Sequence, residues 1–363
     1  MKHSFFDSTL EIDLNKLKKN YLSLKNKANN SICAATIKAN AYGLGVEKIL
    51  KTLISADCND FFVANINEAI SIRKLNKNIN IYVFHGIKNN EAQAFLDYKI
   101  TPVINSKEQL NISSKFAQLQ NTPLDIILHF DTGMNRLGIE YNDYEYFYNY
   151  DYKMLNVKYI MSHLACASEL VSNNNKQFDR FNKITKYFPH SKYSLANSSA
   201  IFLDKKFHFD MVRAGVAIFG VNPSPYKNTN PMLNIIKLSA KIIDIKNISK
   251  DGFVGYGSDK AIAKNSKIAI IPIGYADGYA RILSNKADCF INENYYPIIG
   301  RISMDLTIID ISNDKANNIN IGDDAELIGD NVKIDDISHK ANTISYEILT
   351  SLKGRYNIKY IEN

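Results

Sequence analysis

Three reactive side chains follow short apolar runs in this chain of 363 residues. Lys38 comes directly after residues 32–37, and a lysine at the end of a buried strand is partly desolvated, which lowers its pKa and frees an amine for imine chemistry. Arg136 stands in a glycine-containing loop after residues 124–130, where a guanidinium could clamp a carboxylate. His163 follows the next run and could stack on an aromatic cofactor or move a proton. Each also has a simpler interpretation: a lysine that reaches solvent, an arginine in a surface turn, or a hydrogen-bonded core histidine.

The elements that would position these side chains alternate along the chain. Short apolar runs typical of buried parallel strands are separated by segments with helical spacing, as at Val46, Ile49, Leu50 and Leu53. Eight such repeats predict an α/β fold, a (β/α)8 barrel, with an open doubly wound sheet as the alternative. The predicted strands are residues 32–37, 61–64, 79–84, 100–104, 124–130, 157–161, 193–196 and 211–219.

Two segments suit a phosphate, one after the seventh predicted strand and one on the eighth. These are Asn197-Ser198-Ser199 and Arg213-Ala214-Gly215-Val216, and barrel enzymes commonly bind phosphate in these two loops. The serines are equally typical of a helix N-terminus, which itself attracts anions. Together with the lysine, arginine and histidine, the segments favour a phosphate-bearing cofactor that forms an imine, and pyridoxal phosphate is the natural candidate.

The pattern changes after about residue 231, where apolar runs lie closer together and turn residues separate them. We therefore predict a barrel domain over residues 8–231 and a mainly β domain over residues 232–363, to which residues 1–7 are also assigned. The predicted strands of the second domain are residues 238–245, 267–273, 288–291, 296–299, 306–311 and 325–328, and a late helix is predicted over 344–352.

Composition argues against several classes of function. The net charge of +7 comes from 44 basic and 37 acidic residues, and the basic residues are mostly scattered lysines, so nucleic-acid binding is not expected. The four cysteines form no CxxC pair, so neither a metal site nor a disulfide framework is expected. No signal peptide or apolar run of membrane-spanning length stands out, so we expect a cytoplasmic protein that does not bind membranes.

Several motifs, in order, resemble those of the alanine racemase family. They are IKANAYG (37–43), DTGMNRLG (131–138), Asn197-Ser198, MVRAGVAIFG (211–220), GYADG (274–278) and GRISMD (300–305). The resemblance extends over nearly the whole chain. It implies a barrel followed by a β-rich domain, a homodimer with shared active sites, pyridoxal 5'-phosphate as cofactor, and interconversion of L-alanine and D-alanine, which supplies peptidoglycan synthesis.

The resemblance also implies a role for each matching residue. Lys38 would carry the cofactor and act as the base on the D-alanine side, while Tyr275 of the neighbouring subunit would serve L-alanine from the opposite face. Arg136 and the backbone of Met304 would bind the substrate carboxylate. His163 would lie against the pyridine ring and Arg213 would bond to its nitrogen. The phosphate would be held by Tyr42, Ser198, Gly215 and Val216.

Two positions depart from the family pattern. Many members carry a carbamylated lysine two residues before the DTGM motif, where this chain has His129, and imidazole forms no such stable carbamate. Arg136 must then be positioned by something else, such as an anion or a neutral His129. Some members have a C-terminal tyrosine on the phosphate, where this chain has Gly354, and Tyr356 is a candidate to compensate.

Three alternatives share part of the pattern. A broader racemase acting on serine would carry the same motifs. A non-catalytic pyridoxal-phosphate-binding barrel protein would lack the second domain. A barrel-type decarboxylase would carry a Cys or Asp acid in its second domain, where GYADG and RISMD resemble the racemase pattern instead.

Overall fold

The computed structural model describes residues 6–227, 229–315, 318–352 and 354–362. The chain divides into two compact units. One is Lys18–Met232 and the other combines Met1–Leu17 with Leu233–Asn363. Of residues 1–7, which were assigned to the β-rich domain, residues 1–5 lie outside the described residues.

The unit Lys18–Met232 contains a closed barrel of eight parallel strands, in which the first strand, β2 (Ile32–Thr36), pairs with the last, β9 (Met211–Ala214), and closes the circle. This confirms the predicted (β/α)8 architecture and rules out the open sheet. Large apolar side chains such as Phe62, Ile127 and Met211 fill the barrel interior. The strands are β2 (Ile32–Thr36), β3 (Asp60–Val63), β4 (Asn80–Val83), β5 (Thr101–Ile104), β6 (Leu124–His129), β7 (Leu155–Met161), β8 (Lys192–Asn197) and β9 (Met211–Ala214).

Helices follow the barrel strands and bury one apolar face each. In α3 the side chains of Ile49, Leu50 and Leu53 are buried, as the helical spacing predicts. Asn65 and Ser106 cap the N-termini of α4 and α6 with their side chains. The helices from the chain start to the end of the barrel are α1 (Leu14–Ala28), α2 (Lys38–Tyr42), α3 (Val46–Ile54), α4 (Ile66–Leu75), α5 (Ala92–Asp97), α6 (Lys107–Leu119), α7 (Tyr144–Tyr148), α8 (Asn173–Thr185) and α9 (Ala200–Leu203).

The last predicted barrel strand is too long. The run 211–219 is apolar apart from Arg213 and Gly215, but β9 ends at Ala214 and Val216–Phe219 forms a 3-10 turn. Gly215 separates the two with an irregular backbone (φ −130°, ψ −107°). Apolar runs occur both in buried strands and in buried turns. The sequence pattern therefore does not show that the strand ends at Ala214.

The other unit is built on a nine-stranded sheet with the order β11-β14-β17-β16-β15-β18-β10-β1-β19, beside the ribbon β12-β13. The predicted strand 238–245 is in fact two strands, β10 and β11, and β1, β12, β13, β19 and α10 were not predicted. The elements are β1 (Ser8–Asp13), β10 (Ile236–Lys241), β11 (Asp244–Asn247), β12 (Gly252–Phe253), β13 (Ala261–Ile262), β14 (Lys267–Ile271), β15 (Asp288–Ile291), β16 (Asn294–Ile299), β17 (Thr307–Asp310), β18 (Asp324–Ile328), α10 (Ile334–Lys340), α11 (Ser345–Ser351) and β19 (Asn357–Ile361).

Strand β1 belongs to this sheet although it opens the chain. It pairs antiparallel with β10, where Leu10 lies opposite Leu238, and parallel with β19, where Leu10 lies opposite Ile358. The inward side chains Leu10 and Ile12 are buried. Within the described residues, no helix has the length and apolarity needed to cross a membrane.

Candidate active site

Lys38 begins a strained turn at the carboxyl end of β2. Burial lowers the pKa of its amine, the nearby Arg136 guanidinium lowers it further, and Glu68 raises it. The next four residues have left-handed backbone, with φ of 53° at Ala39, 54° at Asn40, 53° at Ala41 and 56° at Tyr42. Such a conformation costs about 1–2 kcal/mol per non-glycine residue, so the turn must be held by its surroundings.

Arg213, on β9, is 3% exposed and held by several hydrogen bonds. One terminal nitrogen donates to Ser194 Oγ at 2.6 Å, and the other donates to Ser162 O at 2.6 Å and Leu195 O at 3.2 Å. Burial lowers the pKa of the guanidinium to about 9, so it remains a cation at neutral pH. Its Nε–H has no partner among the described residues, so a buried donor is left available for a ligand.

His163 lies beside this arginine at the end of β7. Its Nδ1 is 3.3 Å from the guanidinium of Arg213, and Arg213 can only donate, so Nδ1 accepts. Burial and the neighbouring Arg213 hold the pKa of His163 well below its usual value. His163 is therefore a neutral imidazole rather than an imidazolium.

Polar groups from three strand ends meet next to Gly215. Its N–H donates to Ser198 Oγ at 2.8 Å. A Cβ at residue 215 would lie 2.8 Å from the hydroxyl oxygen of Tyr42 and 3.8 Å from that of Ser198, so only glycine leaves this space open. Val216 begins the 3-10 turn at this point. Two hydroxyls and backbone amides around a space without a Cβ suit a phosphate. With the Arg213 donor and the Lys38 amine, these groups fit pyridoxal phosphate.

Arg136 is carried by a loop that Asp131 ties together. Asp131 accepts from the backbone N–H of Gly133 and Met134 at 2.8 Å, and from that of Arg136 at 3.1 Å. The guanidinium itself is exposed and makes no hydrogen bond or ion pair to the described part of the chain. It acts electrostatically on Lys38, His129 and His163, whose pKa values it lowers, so it lies near all three.

In the other unit, the backbone turns that carry Tyr275 and Met304 are bonded to each other. The N–H of Tyr275 donates to Ser303 O and that of Ala276 donates to Met304 O, both at 3.1 Å. A Cβ at Gly274 would lie 2.3 Å from Ser303 O, so this close approach requires glycine. The side chains of Tyr275 and Met304 are 43% and 52% exposed.

Asp277 connects this pair of turns to the end of the chain. Its buried carboxylate accepts from Gly274 N at 2.8 Å and forms an ion pair with Arg355 Nε at 3.2 Å. Arg355 also donates to Asp305 Oδ1 at 2.8 Å, next to Met304 in the sequence. The hydroxyl of Tyr356 donates to Asp277 O. Tyr356 thus bonds to the backbone here, and Lys353, before Gly354, lies outside the described residues.

The structure brings together the barrel residues that the motifs single out: Lys38, Tyr42, Arg136, His163, Ser198, Arg213, Gly215 and Val216 lie at the carboxyl ends of the strands. Sequence reasoning missed Glu68, which accepts from the backbone N–H of Ala39 next to Lys38, and Asn105, which bonds to His129. The pair Asn65 and Glu68 has the spacing of a capping box and could have drawn attention to Glu68. Nothing in the local sequence marks Asn105.

Comparisons with known proteins agree over almost the full length. Residues 12–223 match the family model of the alanine racemase N-terminal domain and residues 235–360 that of the C-terminal domain. The alanine racemase of Rickettsia africae (strain ESF-5) is 41% identical over 97% of this chain and 99% of its own length. That of Rickettsia bellii (strain RML369-C) is 44% identical over 92% of this chain and 82% of its own. The crystal structure of alanine racemase from Bartonella henselae with covalently bound pyridoxal phosphate superposes with a TM-score of 0.94 at 36% identity, covering 98% of this chain and 99% of that one.

Proposed function

The chain belongs to the alanine racemase family of pyridoxal-phosphate-dependent isomerases, and on that premise we propose how its own residues interconvert L-alanine and D-alanine. Lys38 is the base on one face of the substrate, and Tyr275 of a second subunit is the base on the other. Two bases on opposite faces remove and return the α-proton without turning the substrate over.

The observation that carries this proposal is the unpartnered Nε–H of Arg213, in a buried guanidinium whose two terminal nitrogens both have hydrogen-bond partners. A buried donor without an acceptor lowers the stability of the fold unless a ligand accepts its hydrogen bond. A pyridine nitrogen is an acceptor of the right kind, and a donor that keeps its own proton leaves that nitrogen unprotonated. His163 lies against the ring, while Tyr42, Ser198, Gly215 and Val216 hold the phosphate.

The bound cofactor supplies electron withdrawal, which acidifies the hydrogen on the substrate α-carbon. Lys38 takes or returns this proton on the D-alanine side. The lowered pKa of its amine favours the neutral form that a base requires. The exposed phenol of Tyr275 transfers the proton on the L-alanine side.

Arg136 and the backbone N–H of Met304 bind the substrate carboxylate. The Arg136 guanidinium is exposed beside Lys38 and has no protein partner in the described residues, so it can form two parallel hydrogen bonds to a carboxylate. Bound in this way, the substrate would present its α-carbon at a fixed distance from the amine of Lys38.

We further propose a homodimer with shared sites. The barrel domain, predicted over residues 8–231, binds the cofactor, and the β-rich domain, predicted over 232–363 with 1–7, presents Tyr275 and Met304 to the partner. The exposure of both side chains supports this. The enzyme would act in the cytoplasm, as four free thiols suggest, and supply D-alanine for peptidoglycan.

The test is the circular dichroism of L-alanine incubated with protein and pyridoxal phosphate, with L-serine in parallel. We expect the alanine signal to decay to zero while total amino acid is conserved. Faster decay of serine would favour the broader racemase. Release of carbon dioxide would indicate the decarboxylase, and a flat trace from cofactor-loaded protein would indicate a binding protein without activity.

A further inference from the structure

The left-handed turn after Lys38 joins two cofactor-binding residues. Lys38 begins it and Tyr42 ends it, and the residues between are Ala39, Asn40 and Ala41, none of which is glycine. L-residues avoid this backbone region because Cβ crowds the carbonyl oxygen. A free segment of this sequence would therefore relax, and both the amine of Lys38 and the hydroxyl of Tyr42 would move with it.

The side chain of Glu68 bridges this turn to the neighbouring strand. Its Oε1 accepts from the N–H of Ala39 at 2.8 Å, and its Oε2 accepts from the N–H of Ala64, just after β3, at 2.8 Å. Asn65 Oδ1 accepts from the backbone N–H of Glu68 at 3.1 Å, which fixes the base of the side chain. The carboxylate thus ties Ala39, the first residue with left-handed backbone, to the end of barrel strand β3.

We propose that Glu68 is a positioning residue for the cofactor: it holds the left-handed turn and thereby sets the placement of Lys38 and Tyr42. The proposal rests on the role of Lys38 given above. Hydrogen bonds to an ionised carboxylate are among the strongest a backbone N–H can make, and here one carboxylate makes two. Other bonds close the turn, from Gly43 N to Ala39 O at 2.8 Å and from Val46 N to Asn40 Oδ1 at 2.9 Å. The N–H of Ala41 also donates to Ile37 O at 3.0 Å, just before Lys38. The carboxylate of Glu68 adds to these a bond at the first left-handed residue, Ala39.

An alternative role for Glu68 is purely electrostatic. Its charge raises the pKa of Lys38, opposing burial and Arg136. The two roles make different predictions for Ala39→Gly, because glycine occupies the left-handed region freely but restores no charge. Ala39 is exposed, so this change removes no core methyl.

The experiment measures cofactor affinity by titrating apoprotein with pyridoxal phosphate and following its visible band. Glu68→Gln keeps the side-chain shape but places an NH2 against one of the two N–H groups. We expect roughly tenfold weaker binding in this variant. Glu47→Gln is the matched control, because Glu47 is exposed and forms its ion pair with Lys51 on the same helix, and it should bind the cofactor as wild type does.

The double variant Glu68→Gln/Ala39→Gly should recover most of the lost affinity. Equal affinity in Glu68→Gln and Glu47→Gln would overturn the proposal. The proposal would also be overturned if Ala39→Gly did not restore the affinity lost in Glu68→Gln and the pH dependence of cofactor attachment were shifted. That result would assign Glu68 the electrostatic role. Far-UV circular dichroism and thermal melting of each apoprotein separate these outcomes from unfolding. Peptide mapping of reduced wild-type protein tests the attachment at Lys38 separately, so failure of the proposed function is distinguishable.

Discussion

Asn105 Oδ1 lies 2.8 Å from His129 Nδ1, at the carboxyl ends of the adjacent strands β5 and β6. The amide nitrogen of Asn105 donates to Val103 O at 2.8 Å and to Phe84 O at 2.9 Å, so its oxygen is the acceptor and Nδ1 of His129 carries the proton. Burial, reinforced by Arg213, lowers the pKa of His129 to about 3. His129 is therefore a neutral group whose Nε2 can accept a hydrogen bond, near the cation of Arg136.

This arrangement predicts activity that does not depend on carbon dioxide. The position carries no amine to carbamylate, and a neutral imidazole can serve as the acceptor for Arg136. Racemase activity should be unchanged in degassed buffer without bicarbonate, and the intact mass should show no carbamate adduct. Activity that rises with added bicarbonate would show that another group at this site is modified.

The buried neutral histidines also predict a loss of stability in acid. The folded-state pKa of His129 is lowered to about 3 from an ordinary value near 6.5, so the unfolded chain binds a proton that the folded chain does not. Stability is therefore complete above about pH 6.5 and falls between about 6.5 and 3, by at most about 1.4 kcal/mol per pH unit for each such histidine.

Urea unfolding of apoprotein at pH 7.5 and 5.0 measures this dependence. His129→Gln should reduce the difference between the two pH values, and the exposed His190→Gln is the control that should leave it unchanged. An identical pH dependence in all three proteins would mean that His129 is protonated in the fold.

The sequence predicted the barrel because each strand is a separate apolar run of the expected length, as in residues 124–130. The prediction failed for segments whose structure is set by strands far away in the sequence. Strand β1 is a short stretch with charged residues, and it is a strand because β10 and β19 flank it. The run 238–245 reads as one strand, yet the chain leaves β10 at Lys241 and pairs with β14 from Asp244.

The candidate site was predicted in part. Lys38, Arg213 and Tyr275 stand in motifs that follow the family's order along the chain, so the sequence alone singles them out. The residues that hold these side chains in place do not stand out in the sequence, because their contacts depend on how the strands lie beside one another. Glu68 satisfies a helix-capping pattern, but its carboxylate bonds to Ala39 and Ala64 instead of to its own cap residue. Asn105 lies 24 residues from His129 and meets it only through strand pairing.

Replacing Arg213 by lysine should weaken cofactor binding by at least about tenfold and destabilise the apoprotein by about 2 kcal/mol or more. Lysine keeps the charge but cannot reproduce the fork that reaches Ser194, Ser162 and Leu195 while leaving Nε–H free. Cofactor titration and urea unfolding provide the two measurements.

Arg73 offers a matched control for this variant. Its guanidinium also bonds to several backbone carbonyls, among them Tyr98 O and Ile79 O at 2.8 Å, and it has none of the proposed cofactor contacts. Arg73→Lys should therefore lose stability and keep its cofactor affinity. Equal losses of affinity in the two variants would place the effect of Arg213 in folding alone.

Asp277→Asn should lower racemase activity and leave cofactor affinity intact. The carboxylate holds Gly274 N and pairs with Arg355, which reaches Asp305, so its charge fixes the relation between the turns of Tyr275 and Met304. We expect kcat to fall by about tenfold, because misplaced catalytic groups lose rate steeply. Asp259→Asn removes an exposed pair with Arg301 and is the control. Weaker cofactor binding in Asp277→Asn would contradict the assignment of this turn to substrate chemistry.

The proposed sharing of active sites between two subunits predicts that two defective variants restore each other. Lys38→Ala lacks one proposed base and Tyr275→Phe lacks the other, so neither homodimer should racemise alanine at the wild-type rate. In a mixed dimer, the barrel of the Tyr275→Phe subunit faces the intact tyrosine of the Lys38→Ala subunit, and one of the two sites is complete. Random exchange of equal amounts makes half the dimers mixed, so activity should return to roughly a quarter of wild type. The measurement is racemase activity after denaturing and refolding the mixture, with each variant refolded alone as the control. No gain over the separate variants would show that each chain builds its site from its own residues.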